Sequence, residues 1–80
     1  MKKTSLLEMF EDFCRKLSIV VKYDRFFGKG GYCRVKQKSY FIINEGLSNA
    51  AKEDIFIKEL KQLNFDPELL PGKLREILQK

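Results

Sequence analysis

A chain of 80 residues with 44% hydrophobic side chains, seven Phe among them, is one small domain with enough apolar material for a single core, and not a disordered segment. The formal charge is +5 with no histidine, which excludes Ser-His and Cys-His catalytic pairs and histidine-liganded zinc. Two cysteines, Cys14 and Cys33, are too few for a disulfide scaffold or a closed zinc site, and both read as free, buried thiols of a reducing compartment.

The N-terminus predicts no signal peptide, because acidic residues interrupt its apolar run by Asp12. No stretch has the apolar length of a membrane span. The sequence therefore predicts a cytoplasmic protein without membrane association, a single domain over 1–80 that folds alone or as a small oligomer. Nothing in it groups carboxylate, Lys, Tyr or Cys side chains into a catalytic constellation, and it implies no enzyme activity, metal or cofactor.

In chain order, Ser5 followed by Glu8 is a capping-box pattern, and Leu6, Phe10, Phe13 and Leu17 fall on one helical face, widened by Met9 and Cys14. This predicts a helix from about Ser5 to Leu17 with Glu8, Glu11 and Asp12 in water. The β-branched run from Ser18 to Asp24 predicts a first strand, with Ile19, Val21 and Tyr23 on one face and Val20, Lys22 and Asp24 on the other.

Three glycines between Gly28 and Gly31 permit positive φ angles and predict a loop over 25–31, with Phe26 or Phe27 turned inward. Beyond it, Tyr32 to Lys36 and Tyr40 to Ile43 predict a β-hairpin joined through Gln37, Lys38 and Ser39. The alternation in the first of these strands points Cys33 and Val35 to the core and Tyr32, Arg34 and Lys36 outward. With no Asn-Gly or Asp-Gly turn the register stays open, so either Phe41 and Ile43 or Tyr40 and Ile42 face inward.

Ser48 or Asn49 caps a second helix through Ile55, Phe56, Leu60 and Leu63. Asp66-Pro67 restarts the chain, and Pro71 opens a last short helix through Leu74, Ile77 and Leu78. The fold class is α+β, in the order α-β-β-β-α-α. It places a three-stranded antiparallel meander under an N-terminal helix and the C-terminal helices.

From the hairpin into the second helix the chain resembles the core of the ImmA/IrrE-type zinc metallopeptidases, in which a strand ending I-x-N and a capped helix lead to H-E-L-G-H. The matching residues are Ile42-Ile43-Asn44, Leu47-Ser48, Phe56-Ile57 and the run from Lys58 to Gln62, and the step from Asn44 to Lys58 has the family's spacing. Lys58 and Gln62 stand at the two histidine positions and Glu59 at that of the general base. An ammonium and a neutral amide do not hold zinc, so the resemblance implies a zincin-like scaffold without its chemistry.

Charge is concentrated around the hairpin: eight of the sixteen basic residues lie between Arg15 and Lys38, with Asp24 the one acid among them. The outward set Lys22, Tyr32, Arg34 and Lys36, with Arg25, Lys29 and Lys38 nearby, interleaves cations with an aromatic ring. Such a surface could hold single-stranded nucleic acid through its phosphates and stacked bases. An ordinary solvated sheet face guarded by lysines accounts for the same residues and carries somewhat more weight. The GKGG loop reads more readily as a plain connection than as an anion cradle, and Glu59 as a solvated surface charge. The functional expectation is a non-catalytic protein-interaction module, with single-stranded nucleic-acid binding by the basic hairpin as the alternative.

Overall fold

The computed structural model of the protein describes residues 3–79. It contains α1 (Ser5–Lys16), β1 (Ile19–Asp24), β2 (Gly30–Val35), β3 (Lys38–Asn44), α2 (Asn49–Leu60), a 3₁₀ turn (Pro67–Leu69) and α3 (Gly72–Leu78). This is the small α+β domain, in the element order, that the sequence predicts. The sheet is the correction. Its strand order is β1-β3-β2, with β1 parallel to β3 and β2 antiparallel to β3, so it is mixed and not an antiparallel meander.

The reason lies in the loop after β1. Residues 25–29 do not turn back beside β1 but cross over the end of β3, where Asn44 holds them: its Nδ2 donates to the carbonyls of Phe26 (2.9 Å) and Gly28 (2.8 Å). The Asn44 amide also donates to the Lys29 carbonyl at 3.0 Å. The chain then descends as β2 on the far side and returns as β3 in the middle. The central place goes to β3, whose run from Tyr40 to Ile43 is apolar on both sides, and the glycine- and cation-bearing β2 takes an edge, as sheets generally arrange their strands.

The hairpin turn is Lys36-Gln37, two residues long, because Val35 pairs with Lys38 and Lys36 takes φ 57°. It is shorter than expected and fixes the register: Tyr32 pairs with Phe41 and Cys33 with Tyr40. Phe41 and Ile43 therefore face the helices. In β2 the expected faces are exchanged. Tyr32 turns to the helix side, in edge-to-face contact with Phe41 at 5.7 Å, and its hydroxyl donates to Ser39 Oγ at 2.9 Å. Cys33 and Val35, expected inside, are exposed.

Both long helices lie on one side of the sheet, α1 against β1 and α2 across β2 and β3. Their meeting line is aromatic: Phe56 stacks on Phe10 at 5.2 Å and tilts against Phe41 at 5.0 Å, while Phe65 stands edge-on to Phe13 at 5.2 Å. Leu7, Cys14, Ile55, Leu60, Leu74 and Leu78 pack into the same core.

The first helix is capped one residue earlier than the capping-box pattern suggests. Thr4 Oγ1 accepts from the Leu7 amide at 3.1 Å and donates to Glu53, tying α1 to α2. At its far end Ser18 takes φ 61°, the left-handed residue that turns the chain into β1. The second helix stops at Leu60 instead of Leu63. Gln62 and Leu63 form tighter i−3 bonds to Glu59 and Leu60 beyond it. The cap at Asp66, which accepts from the Glu68 amide at 3.0 Å, and the helix opened after Pro71 stand as the sequence predicts.

Candidate interaction surface

The covered side of the sheet uses Ile19, Val21 and Tyr23 of β1 and Phe41 and Ile43 of β3. The opposite side carries no helix among the described residues. Alternation places Val20 and Lys22 of β1, Lys38, Tyr40 and Ile42 of β3, and Cys33 and Val35 of β2 there. Val20 and Val35 are 43% and 54% exposed, and Tyr40 lies half-buried between Val20 and Cys33 in one cross-strand row. The ammonium of Lys22 stands over the Tyr40 ring, 5.4 Å from its centre.

The crossing loop borders this surface at the Asn44 end. Neither of its phenylalanines is tucked inward: Phe27 is fully exposed and Phe26 is 38% exposed. Gly28 and Gly30 both have φ 113°. At Gly30 a Cβ would stand 2.0 Å from the Ile42 carbonyl oxygen, so the loop enters β2 only with glycine at that position.

The residues expected to form one basic face are divided among several places. Lys22 and Lys38 lie on the open side, Arg25 and Lys29 in the crossing loop, and Lys36 in the hairpin turn, all exposed. Tyr32 and Arg34 belong to the helix side, with Tyr32 engaged by Phe41 and Ser39 and Arg34 exposed at the sheet margin. The ring that Lys22 faces is Tyr40, which alternation in β3 would have found once the turn length was known.

Glu59 also has a place other than the one expected of it. It is half-buried, and its Oε1 accepts from the Tyr32 amide at 3.4 Å on the outer edge of β2. Lys58 and Gln62 line a cleft of about 240 Å³ with Lys29 and Gly30, next to that edge. Because α2 ends at Leu60, Gln62 lies past the helix that carries Lys58.

A polar cluster joins α1, β1 and α2 near the sheet's other margin. The Tyr23 hydroxyl donates to Glu11, which also pairs with Lys3 at 3.0 Å; Glu11 is therefore half-buried and not simply in water. Lys3 and Lys52 both approach the Tyr23 ring, at 5.2 and 5.3 Å, and Lys52 is only 8% exposed. Burial raises the Tyr23 phenol above its ordinary pKa, and the bond to Glu11 and that carboxylate's charge add to the rise. Burial likewise pushes the Cys14 thiol up to about 12, with a further contribution from Glu11. Cys14 is thus a packing residue.

Among the described residues no helix is long and apolar enough to cross a membrane. Compared with protein-family models, curated proteins and solved structures, the chain matches none.

Proposed function

We propose that the chain is a non-catalytic module that binds another protein through the uncovered side of its sheet. The observation that supports this reading is the row of Val20, Tyr40 and Cys33, with Val35 beside it, left facing solvent across all three strands while the other side lies under two helices. Contiguous apolar surface rimmed by charge is the usual mark of a contact site. Cross-linking after affinity capture tests it. Proteins joined to the open side of the wild-type chain are expected to be lost from Val20→Glu/Val35→Glu, whose own stability changes little because both positions are exposed. Equal recovery with the folded double variant would remove the reading.

Such a module could be a zincin-like scaffold without metal chemistry. Lys58 supplies an ammonium and Gln62 an amide where the resembled family has imidazoles, and the Glu59 carboxylate already accepts from the Tyr32 amide. Zinc is expected neither to bind stoichiometrically nor to raise the melting temperature. Tight binding at one site would sink that form of the proposal.

The Lys22–Tyr40 pair supports a second reading, binding of single-stranded nucleic acid. Tyr40 would take the stacking position expected of Tyr32, with Lys22, Arg25, Lys29, Lys36 and Lys38 around it, and one stacked base would contribute about 1–3 kcal/mol. Anisotropy of labelled oligonucleotides should then show binding that weakens with salt, with a slope of about −0.7 per neutralised phosphate, and that Tyr40→Ala reduces. No binding at low salt would leave the protein-binding module.

A further inference from the structure

The sheet has two edges. At β2 the outward Tyr32 amide is taken by Glu59, and Arg34, with Lys36 in the turn beyond it, adds charge along the rest of the edge. At β1 no side chain takes an outward amide among the described residues, and the strand's own charges, Lys22 and Asp24, lie on the open side. The Asp24 carbonyl accepts from the Glu45 amide at 2.8 Å, so Val20, Lys22 and Asp24 direct their backbone groups to β3, while Ile19, Val21 and Tyr23 direct theirs to the free edge. A groove of about 580 Å³ runs along this edge, bordered by Lys3, Glu11 and Arg15 as well as by β1 itself.

We propose that the free edge of β1 accepts an extended segment of a partner polypeptide as a fourth, antiparallel strand beside α1. This goes beyond the reading of the open face and does not depend on it. An antiparallel segment exchanges two backbone hydrogen bonds with each of Ile19, Val21 and Tyr23, the strand-addition mode of peptide recognition. The groove does not suit a second copy paired β1 to β1. Adjacent strands lie about 4.8 Å apart, and α1 rests on β1, so the copy's α1 would overlap a helix that needs about 8–10 Å of separation. The occupant is therefore a strand with no helix above it on that side.

The edge also selects its side chains. Opposite Ile19, Val21 and Val20 a β-branched residue continues the apolar rows, and opposite Lys22 an acidic residue makes a cross-strand pair. The Lys22 ammonium has no carboxylate within ion-pair distance among the described residues and lies over Tyr40. A second acid beyond Ile19 comes toward Arg15, at the groove's other end.

The probe is the acetylated and amidated peptide Thr-Val-Glu-Val-Val-Ile-Glu, laid antiparallel so that its central Val opposes Val21. It is titrated into the full chain, with binding read by anisotropy and amide exchange read residue by residue. Saturating peptide is expected to slow exchange at Ile19, Val21 and Tyr23 by about tenfold or more, and N-methylation of its central Val to weaken binding by about tenfold. Lys22→Glu should weaken binding too, and replacing the peptide's first Glu by Lys should restore it. Val35→Glu, on the far strand, should leave affinity unchanged, so the edge can fail while the open-face reading stands, and the reverse. Absence of binding up to about 1 mM, equal affinity for the N-methylated peptide, protection at Tyr32 and Arg34 instead, or loss with Val35→Glu would each overturn the proposal.

Discussion

Tyr40 and Phe41 are neighbours in the central strand and end in opposite surroundings. Phe41 has no exposed surface and touches Phe56 and Tyr32, whereas Tyr40 lies half-buried on the open side beside Val20 and Cys33 with Lys22 over its ring. In β3 alone the two sides are almost equally apolar, Phe41 and Ile43 against Tyr40 and Ile42. The difference comes from the flanking strands. β1 contributes Ile19, Val21 and Tyr23 to one side but Lys22 and Asp24 to the other, and only the first side can be dehydrated under helices without burying charge. The open side keeps a partly apolar surface because the strand that forms it must also supply the core.

The largest test of this asymmetry is truncation on either side of the same backbone. Phe41→Ala removes the ring between Tyr32 and Phe56 at the centre of the core and is expected to cost about 3–5 kcal/mol in urea unfolding. For a domain this small, that is a large part of its whole stability. A loss below about 1 kcal/mol would mean that the helices do not close over β3 as described.

The two thiols extend the comparison to pH. Cys14 is buried on the inner face of α1 with its pKa pushed up to about 12, and Tyr23 is raised in the same direction. A group whose folded pKa lies above its unfolded value favours the fold while it is protonated. Its contribution is therefore complete below the unfolded pKa, about 9 for the thiol, and is lost as pH rises toward 12. Stability should fall by roughly 2–4 kcal/mol across that window, and Cys14→Ala should flatten the fall after its own cavity cost. Under native conditions a thiol reagent should label Cys33, which is exposed, and reach Cys14 only on unfolding. Rapid labelling of both would contradict the separation of the two sides.

Gly30→Ala tests the point at which the chain enters the strand common to both sides. The added Cβ would lie 2.0 Å from the Ile42 carbonyl oxygen at a φ of 113°, so the β2–β3 ladder must shift at its start, at a cost of about 2 kcal/mol or more. Because β2 supplies Cys33 and Val35 to the open side, exchange should accelerate there and across the hairpin before it does in α1. A variant as stable as the wild type would place the loop differently.

How much of this was legible follows from the range of the interaction that decides each feature. The inward set Ile19, Val21 and Tyr23, the restarts at Pro67 and Pro71, and Phe10, Phe13 and Cys14 of the α1 face depend on spacing within a few residues and could be read directly, although Leu7 takes the buried place expected of Leu6. The hairpin faces could not. A two-residue turn at Lys36-Gln37 without the usual Asn-Gly signal requires a lysine at φ 57°, and a turn one residue different exchanges Tyr32 with Cys33. The parallel pairing of β1 with β3 was equally hidden, since it depends on Asn44 bonding to loop carbonyls sixteen and eighteen positions earlier. Glu59 read as a surface charge because its partner, the Tyr32 amide, is 27 residues away.

The smallest expected effect completes the contrast with Phe41. Val35→Thr removes a methyl group and adds a hydroxyl at a position that is 54% exposed, where the hydroxyl stays hydrated and no cavity forms. Its stability should remain within about 0.5 kcal/mol of the wild type. The same substitution lowers the apolar area offered to a partner, so any loss of protein binding reports on the interface and not on folding. A destabilisation above about 1 kcal/mol would show that Val35 is covered in solution, and a self-association assay as a function of concentration would then establish whether a second copy covers it.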